Sequence, residues 1–288
     1  MARVTQLGQA NQSLASLQRA QTAAARLQEQ AASSKRINKA SDDPTGTAIS
    51  IQIRNQQAAN TQYSRNADFA NGQLATVDST LQSIYTRLTQ VRSNVIATTT
   101  TTNADSRAAL SAQVTQIKSE LQGLYNTQYQ GRSIFGGTSP TGAVDASGAY
   151  IGDDNPVTVR LNAASSIRID VPGSTIGAGD FSGVLDTIAD GVLNGDAADS
   201  LPDLDAIMQS VITANGQVGA IENRVTSSQT AISAQNADLQ TSLAENEGVD
   251  YAGADRVRLA AGGLPGRPRR DGPHQPDVPP RFPAVTAS

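Results

Sequence analysis

The sequence contains no cysteine and no tryptophan, and its single histidine is His274. Without cysteine there is no disulfide, no thiolate nucleophile and no zinc–thiolate centre. One histidine, set in a Pro/Arg-rich stretch, argues against Ser–His–Asp triads and imidazole acid–base pairs. Gly131 to Gly137 lacks the Lys-Ser/Thr that follows a phosphate-binding loop. Paired carboxylates occur only as Asp42-Asp43 and Asp153-Asp154, and a helix start and a solvated turn account for them. Asp153-Asp154-Asn155 are adjacent and cannot converge enough oxygens for Ca²⁺. The expectation is no catalytic residue, no cofactor and no metal, hence no enzyme. Long apolar runs are missing too: nothing approaches the roughly 18 consecutive apolar residues of a membrane span, so no membrane insertion is expected. The first thirty residues are amphipathic and Gln-rich, without the apolar core of a cleaved signal peptide. A formal charge of −4 argues against nucleic acid as a partner.

Aromatic residues make up only 3% of the 288, and Ala, Ser, Thr, Gln and Asn dominate. That composition suits long helices packed closely through Ala, Leu, Val and Ile. The charge is uneven: residues 253–288 carry six Arg against three acids, while residues 1–252 carry 16 basic against 23 acidic residues. The same tail holds seven of the 12 prolines.

Residues 3–32 place Val4, Leu7, Ala10, Leu14, Leu17, Ala24, Leu27 and Ala31 on one side of a helix, a light stripe amid Gln and Ser. Such a helix is marginal alone in water and either needs a partner helix or lies on its own domain. Ser33-Ser34 ends the pattern. In Ser41-Asp42-Asp43-Pro44, Asp43 fits the N-cap and Pro44 the first helical position, where its missing N–H is not needed. By local physics alone this is a helix–loop–helix corner. A long helix over 44–97 follows, and from Ala67 the register is strict: Ala70, Leu74, Val77, Leu81, Ile84, Leu88, Val91 and Val95 recur at three and four through four heptads. The threonines Thr98 to Thr102 stop it. Asn103 or Asp105 can cap an antiparallel partner carrying Leu110, Val114, Ile117, Leu121, Leu124 and Gln128 to about Gln130. Val157 to Leu161 and Ile167 to Val171 alternate with period two and predict a small antiparallel β unit. Phe181 to Leu193 reads as a short helix. The last long seam is Leu204, Met208, Val211, Asn215, Val218, Glu222, Val225, Gln229, Ile232, Asn236, Leu239 and Leu243, one heptad position apolar and the other mostly polar.

Leu27 to Gly46, with its Lys35-Arg36-Ile37-Asn38 and Ser41-Asp42-Asp43-Pro44, resembles the N-terminal signature of bacterial flagellins and hook-associated proteins. Asn126 to Thr138, including Arg132-Ser133-Ile134-Phe135-Gly136-Gly137-Thr138, resembles the hook-associated protein 3 branch, as does Tyr150-Ile151-Gly152-Asp153. Ile221 to Arg224 and Val249 to Ala252 resemble the C-terminal half, so the likeness spans roughly residues 1–252. It implies a mainly α fold, a long-helix coiled-coil bundle of flagellin type with a small antiparallel β insertion. It also implies an N-terminal assembly helix over residues 1–40, bundle parts over 41–137 and 181–247, and an outward-facing β-rich insertion over 138–180. Residues 248–288 stand where such proteins carry a second assembly helix, which the prolines forbid. A frameshift in the gene or a genuine disordered tail would each account for them. Ser34 stands where the family usually has Gly.

By this resemblance the assembly interface comprises Leu7, Leu14, Leu17, Leu27, Ile37, Asn38, Asp42, Asp43 and Pro44. The bundle seam is Leu74, Val77, Leu81, Ile84, Leu88 and Val91 with Val211, Val218, Val225, Ile232 and Leu239. The implied function is a structural component of the flagellum, outside the cell, joining hook to filament as a self-assembling ring and exported without a cleaved signal peptide. Implied partners are other copies of itself, the neighbouring hook-associated protein, flagellin, and the export apparatus or a chaperone. Flagellin itself, or a coiled-coil binding or adhesive module, are the alternatives.

Overall fold

The computed structural model describes residues 2–100 and 103–248, with the backbone alone for residues 2–7. Thr101-Thr102, Val249 to Ala252 and the Pro/Arg-rich stretch from about Gly253 lie outside the described residues. The chain divides into two compact units, Lys39–Glu247 and a second that includes residues 2–38 and Gly248.

In the second unit, α1 (Ala2–Ser33) is one uninterrupted helix. It ends where Ser34 takes a left-handed φ of 55°, the conformation a glycine adopts without penalty. Lys35 then forms an isolated antiparallel bridge with Gly248.

The larger unit is mainly helical. Its axis is α2 (Pro44–Thr98), 55 residues long and antiparallel to α5 (Leu201–Glu247). The start of α2 follows from its sequence: the Asp43 side chain accepts from the Gly46 N–H at 2.8 Å, and Pro44 sits at the first turn. Helix α3 (Ala104–Tyr125) runs back along α2 from an Asn103 cap that accepts from the Asp105 N–H at 2.9 Å. Helix α4 (Phe181–Asn194) packs on α3.

Ala67, Ala70, Leu74, Val77, Leu81, Ile84, Leu88, Val91 and Val95 of α2 are wholly inaccessible to solvent. The three-and-four spacing thus describes one face of the helix that the fold covers along this stretch. The seam of α3 ends earlier than its spacing predicts. Tyr125, not Gln128, fills its last buried position, and Gln128 is exposed in a strand. There β1 (Gln128–Tyr129) and β2 (Arg132–Ser133) form a tight hairpin, turned by Gln130 at φ 50° and Gly131 at φ 79°. The second hairpin, β3 (Thr158–Arg160) and β4 (Ser166–Arg168), pairs Val159 with Ile167. It is shorter than the alternation suggests, because the Val157 N–H turns to the Asp170 carboxylate at 2.7 Å instead of a strand.

Residues 138–180 share the bundle's core. Ile167, Ile169, Val171 and Ile176 belong to the same buried cluster as Leu74 and Val211, and the Gln73 amide of α2 donates to the Ile169 carbonyl. The scarce aromatics concentrate at this end: Tyr125 lies 4.7 Å from Phe181 and 6.2 Å from Phe135, centroid to centroid.

Candidate assembly surface

The residues expected to assemble fall into two kinds. Leu14, Leu17 and Leu27 are 59–60% exposed along α1, although leucine side chains of this size are ordinarily among the most buried. Leu7 lies among the residues whose side chains are outside the description. Ile37, by contrast, is buried.

The polar corner residues are used locally. Gln30 Nε2 donates to the Arg36 carbonyl at 2.9 Å, and Asn38 Nδ2 to the Lys35 carbonyl at 3.3 Å. The Lys39 N–H donates to Asp42 Oδ2 at 3.0 Å, while the Asp42 N–H returns to the Lys39 carbonyl at 2.9 Å. The Asp43 carbonyl accepts from both the Thr47 N–H and its hydroxyl. In these bonds Asp42, Asp43 and Asn38 shape the two stretches of chain, and Pro44 begins α2.

Of the seam residues, Leu74, Val77, Leu81, Ile84, Leu88 and Val91 are buried on α2, and Val211, Val218, Val225 and Ile232 on α5. Leu239 is only half-buried, near the end where the seam thins. There Arg54 holds both oxygens of Glu247 at 2.6 and 2.8 Å, and Asn246 Nδ2 donates to the Gly46 carbonyl and to Ser50 Oγ. This latch joins residues almost 200 positions apart, and spacing gave no sign of it.

Two motifs, Asn126 to Thr138 and Tyr150 to Asp153, come together. Asn126 Oδ1 accepts from the Ala143 and Val144 N–H groups, and its Nδ2 donates to the Val144 carbonyl. Ile134 and Phe135 are buried. Gly136 accepts from the Asp153 N–H at 3.1 Å, and Phe135 from the Gly173 N–H at 2.9 Å. Gly137 sits at φ 65° with the Asp153 carbonyl where a β-carbon would project. Asp153 is no idle solvated turn residue. Hydrogen bonds from the Thr138 hydroxyl and N–H, with Asn155, hold its carboxyl below the usual carboxylate range.

Tyr150 donates toward the Phe135 and Asp153 carbonyls, and partial burial beside Asp154 pushes its phenol up to about 12. Asp154 in turn accepts from Ser174 Oγ at 2.7 Å. Arg168 clamps buried Asp170 through two bonds of 2.9 and 2.8 Å, which raise its own proton affinity. Tyr129, within the first motif, packs against α2. Its ring lies 5.6 Å from Phe69, and its hydroxyl rests over Gly72 of α2, where a larger residue would collide. Among the described residues no three His, Asp or Glu side chains form a metal-ligand group, and no helix is long and apolar enough to cross a membrane.

Residues 4–140 match the family model of the bacterial flagellin N-terminal helical region. The chain is 27% identical over 251 residues to flagellar hook-associated protein 3 of Salmonella typhimurium, covering 81% of this chain and 77% of the relative. It is 24% identical over 230 residues to a flagellin of Halalkalibacterium halodurans, covering 78% and 77%. The fold is similar to that of FlgL from Bacillus cereus, with a TM-score of 0.59 and 23% identity over 67% of this chain and 99% of that one. The resemblance read from Leu27 to Gly46 and from Arg132 to Thr138 is borne out, as is the mainly α, flagellin-type fold.

Proposed function

We infer that this chain is a structural component of the bacterial flagellum, joining hook to filament as a self-assembling junction ring. The observation that carries the reading is α1. One unit of the chain buries a continuous core of its own, while this helix presents Leu14, Leu17 and Leu27 to water. An apolar stripe left open on a long, weakly amphipathic helix marks a surface that other chains cover. The protein therefore works by contact. Its partners are other copies of itself along α1, a neighbouring hook-associated protein on one side and flagellin on the other. An export apparatus or chaperone handles it before assembly, without a cleaved signal peptide, and its place is the flagellum outside the cell. No catalytic step is assigned to it.

Flagellin is the second reading, favoured by the likeness to the flagellin of Halalkalibacterium halodurans. The clasp between Arg132–Thr138 and Tyr150–Asp153 favours the junction protein, because those two motifs resemble the hook-associated branch. Deleting the gene in its own bacterium separates the readings. Loss of motility with unpolymerised flagellin in the medium, and immunogold label confined to one point per flagellum, is the expected result. Label along the whole filament makes it flagellin, and a fully motile deletion strain overturns both.

A further inference from the structure

The contact between α2 and α5 mixes apolar and polar side chains. Leu74, Leu81, Val211 and Val218 are almost wholly buried in it, yet polar side chains cross it from the same stretch onward. These polar contacts form a ladder that continues towards the Asp43 end. Every seventh residue of α5 from Asn215 is polar, namely Asn215, Glu222, Gln229 and Asn236. Three of these reach across to α2.

Asn215 Nδ2 donates to Asp78 Oδ1 at 2.7 Å. Gln229 donates to Asp68 Oδ1 at 2.8 Å and accepts from Asn71 Nδ2 at 3.0 Å. Asn236 Oδ1 accepts from Asn60 Nδ2 at 3.1 Å, and Asn60 is only 5% exposed. The ladder climbs one helix as it descends the other, as an antiparallel pair requires. Between and beyond these rungs Val225 and Ile232 are buried, but Leu239 and Leu243 are half-buried and Ile49 is 45% exposed. An apolar seam that stays partly open is able to accept further helices.

We propose that the Asn60–Asn236 rung, supported by the Gln229 rung, selects partners: it keeps this stretch of α2 on α5 of its own chain and denies the half-open seam to helices of a second copy. The physical ground is the cost of mismatch. A buried amide is cheap when a matching amide stands at its level and expensive opposite an apolar side chain. One polar pair in an apolar seam therefore restricts strand number and pairing while adding little stability. A leucine pair at the same level would pack at least as well and would accept any apolar mate. In a chain whose exposed α1 stripe already invites association, such a restriction confines association to the surface meant for it.

The test compares the full chain with N60L/N236L and with N236L alone, by thermal melting and by light scattering on a sizing column over a concentration series. The double variant is expected to melt at or above the wild type. Its weight-average mass should rise to about twofold that of the wild type at the same high concentration, as second copies enter the seam. N236L alone is expected to melt below both, since it leaves the Asn60 amide facing an apolar side chain. A double variant that melts below the wild type, or that keeps the wild-type mass at every concentration, overturns the proposal. So does an N236L chain as stable as the wild type.

Discussion

The Thr138 N–H and the Thr138 hydroxyl both donate to the Asp153 carboxylate, each at 2.7 Å, so one residue closes a loop of fifteen with two bonds. Thr138 ends one motif of the hook-associated branch and Asp153 ends the other. The motifs are therefore two halves of a single structural clasp that anchors the β region to the end of α3. Replacing Thr138 by Val removes the hydroxyl donor and keeps the backbone one. The Asp153 titration followed by carbon NMR should move up towards the ordinary carboxylate range, and should stay put if the hydroxyl contributes nothing.

Two glycines of the first motif should respond very differently to alanine. Gly131 has φ 79° with nothing near its missing β-carbon, so Gly131→Ala meets only the left-handed backbone cost, about 1 kcal/mol. Gly137 has φ 65° and also faces the Asp153 carbonyl, so Gly137→Ala adds a backbone clash, for a total of about 3 kcal/mol. Urea unfolding of the two variants should order them this way.

Tyr125 is buried and its hydroxyl donates to the Ile176 carbonyl at 3.0 Å. Tyr125→Phe should cost about 1–2 kcal/mol through the lost bond and the carbonyl left without it. Burial also raises its proton affinity in the folded chain, and Tyr150 is raised to about 12. A tyrosine released by unfolding ionises near about pH 10, so the unfolded chain sheds protons that the native one keeps. Stability is thus fully present below about pH 10 and falls as pH rises beyond it. Melting temperatures across that range should drop less steeply in Tyr125→Phe than in the wild type.

Glu247 is buried at the end of α5, and each of its carboxylate oxygens accepts a bond from Arg54, which is half exposed. Glu247→Gln leaves a weaker, uncharged contact, and exposure of the arginine limits the loss to about 1 kcal/mol. Hydrogen exchange should quicken at the two helix ends and not near Leu81. A change spread evenly over α2 would contradict a local latch.

Ser34 holds φ 55° after α1. Ser34→Gly relieves a left-handed serine at the cost of a more flexible unfolded chain, for a net gain of about 0.5–1 kcal/mol. Limited proteolysis between α1 and α2 should slow in Ser34→Gly and quicken in Ser34→Val, whose branched side chain tolerates that backbone least.

The long helices were legible because their signals are periodic or local. The α2 seam from Ala67 to Val95 repeats through four heptads, and the Asp43-Pro44 start carries its own cap and its own fixed φ. The β1–β2 hairpin was not read, since two-residue strands leave no alternation and only Gly131 hinted at a turn. Gln128 was placed in a helical seam because its spacing fits, yet α3 ends at Tyr125, whose ring is taken up by Phe135 and Phe181.

Composition and periodicity alone determined that this is a long-helix protein, and its motifs placed it beside the flagellar proteins. The tertiary structure alone decided which polar residues are partners: Thr138 with Asp153, Arg54 with Glu247, Asn60 with Asn236. Periodicity is a one-dimensional property and survives without knowledge of the fold. A hydrogen bond between side chains 15, 193 or 176 residues apart depends on where the backbone brings them, and no spacing along the chain records that.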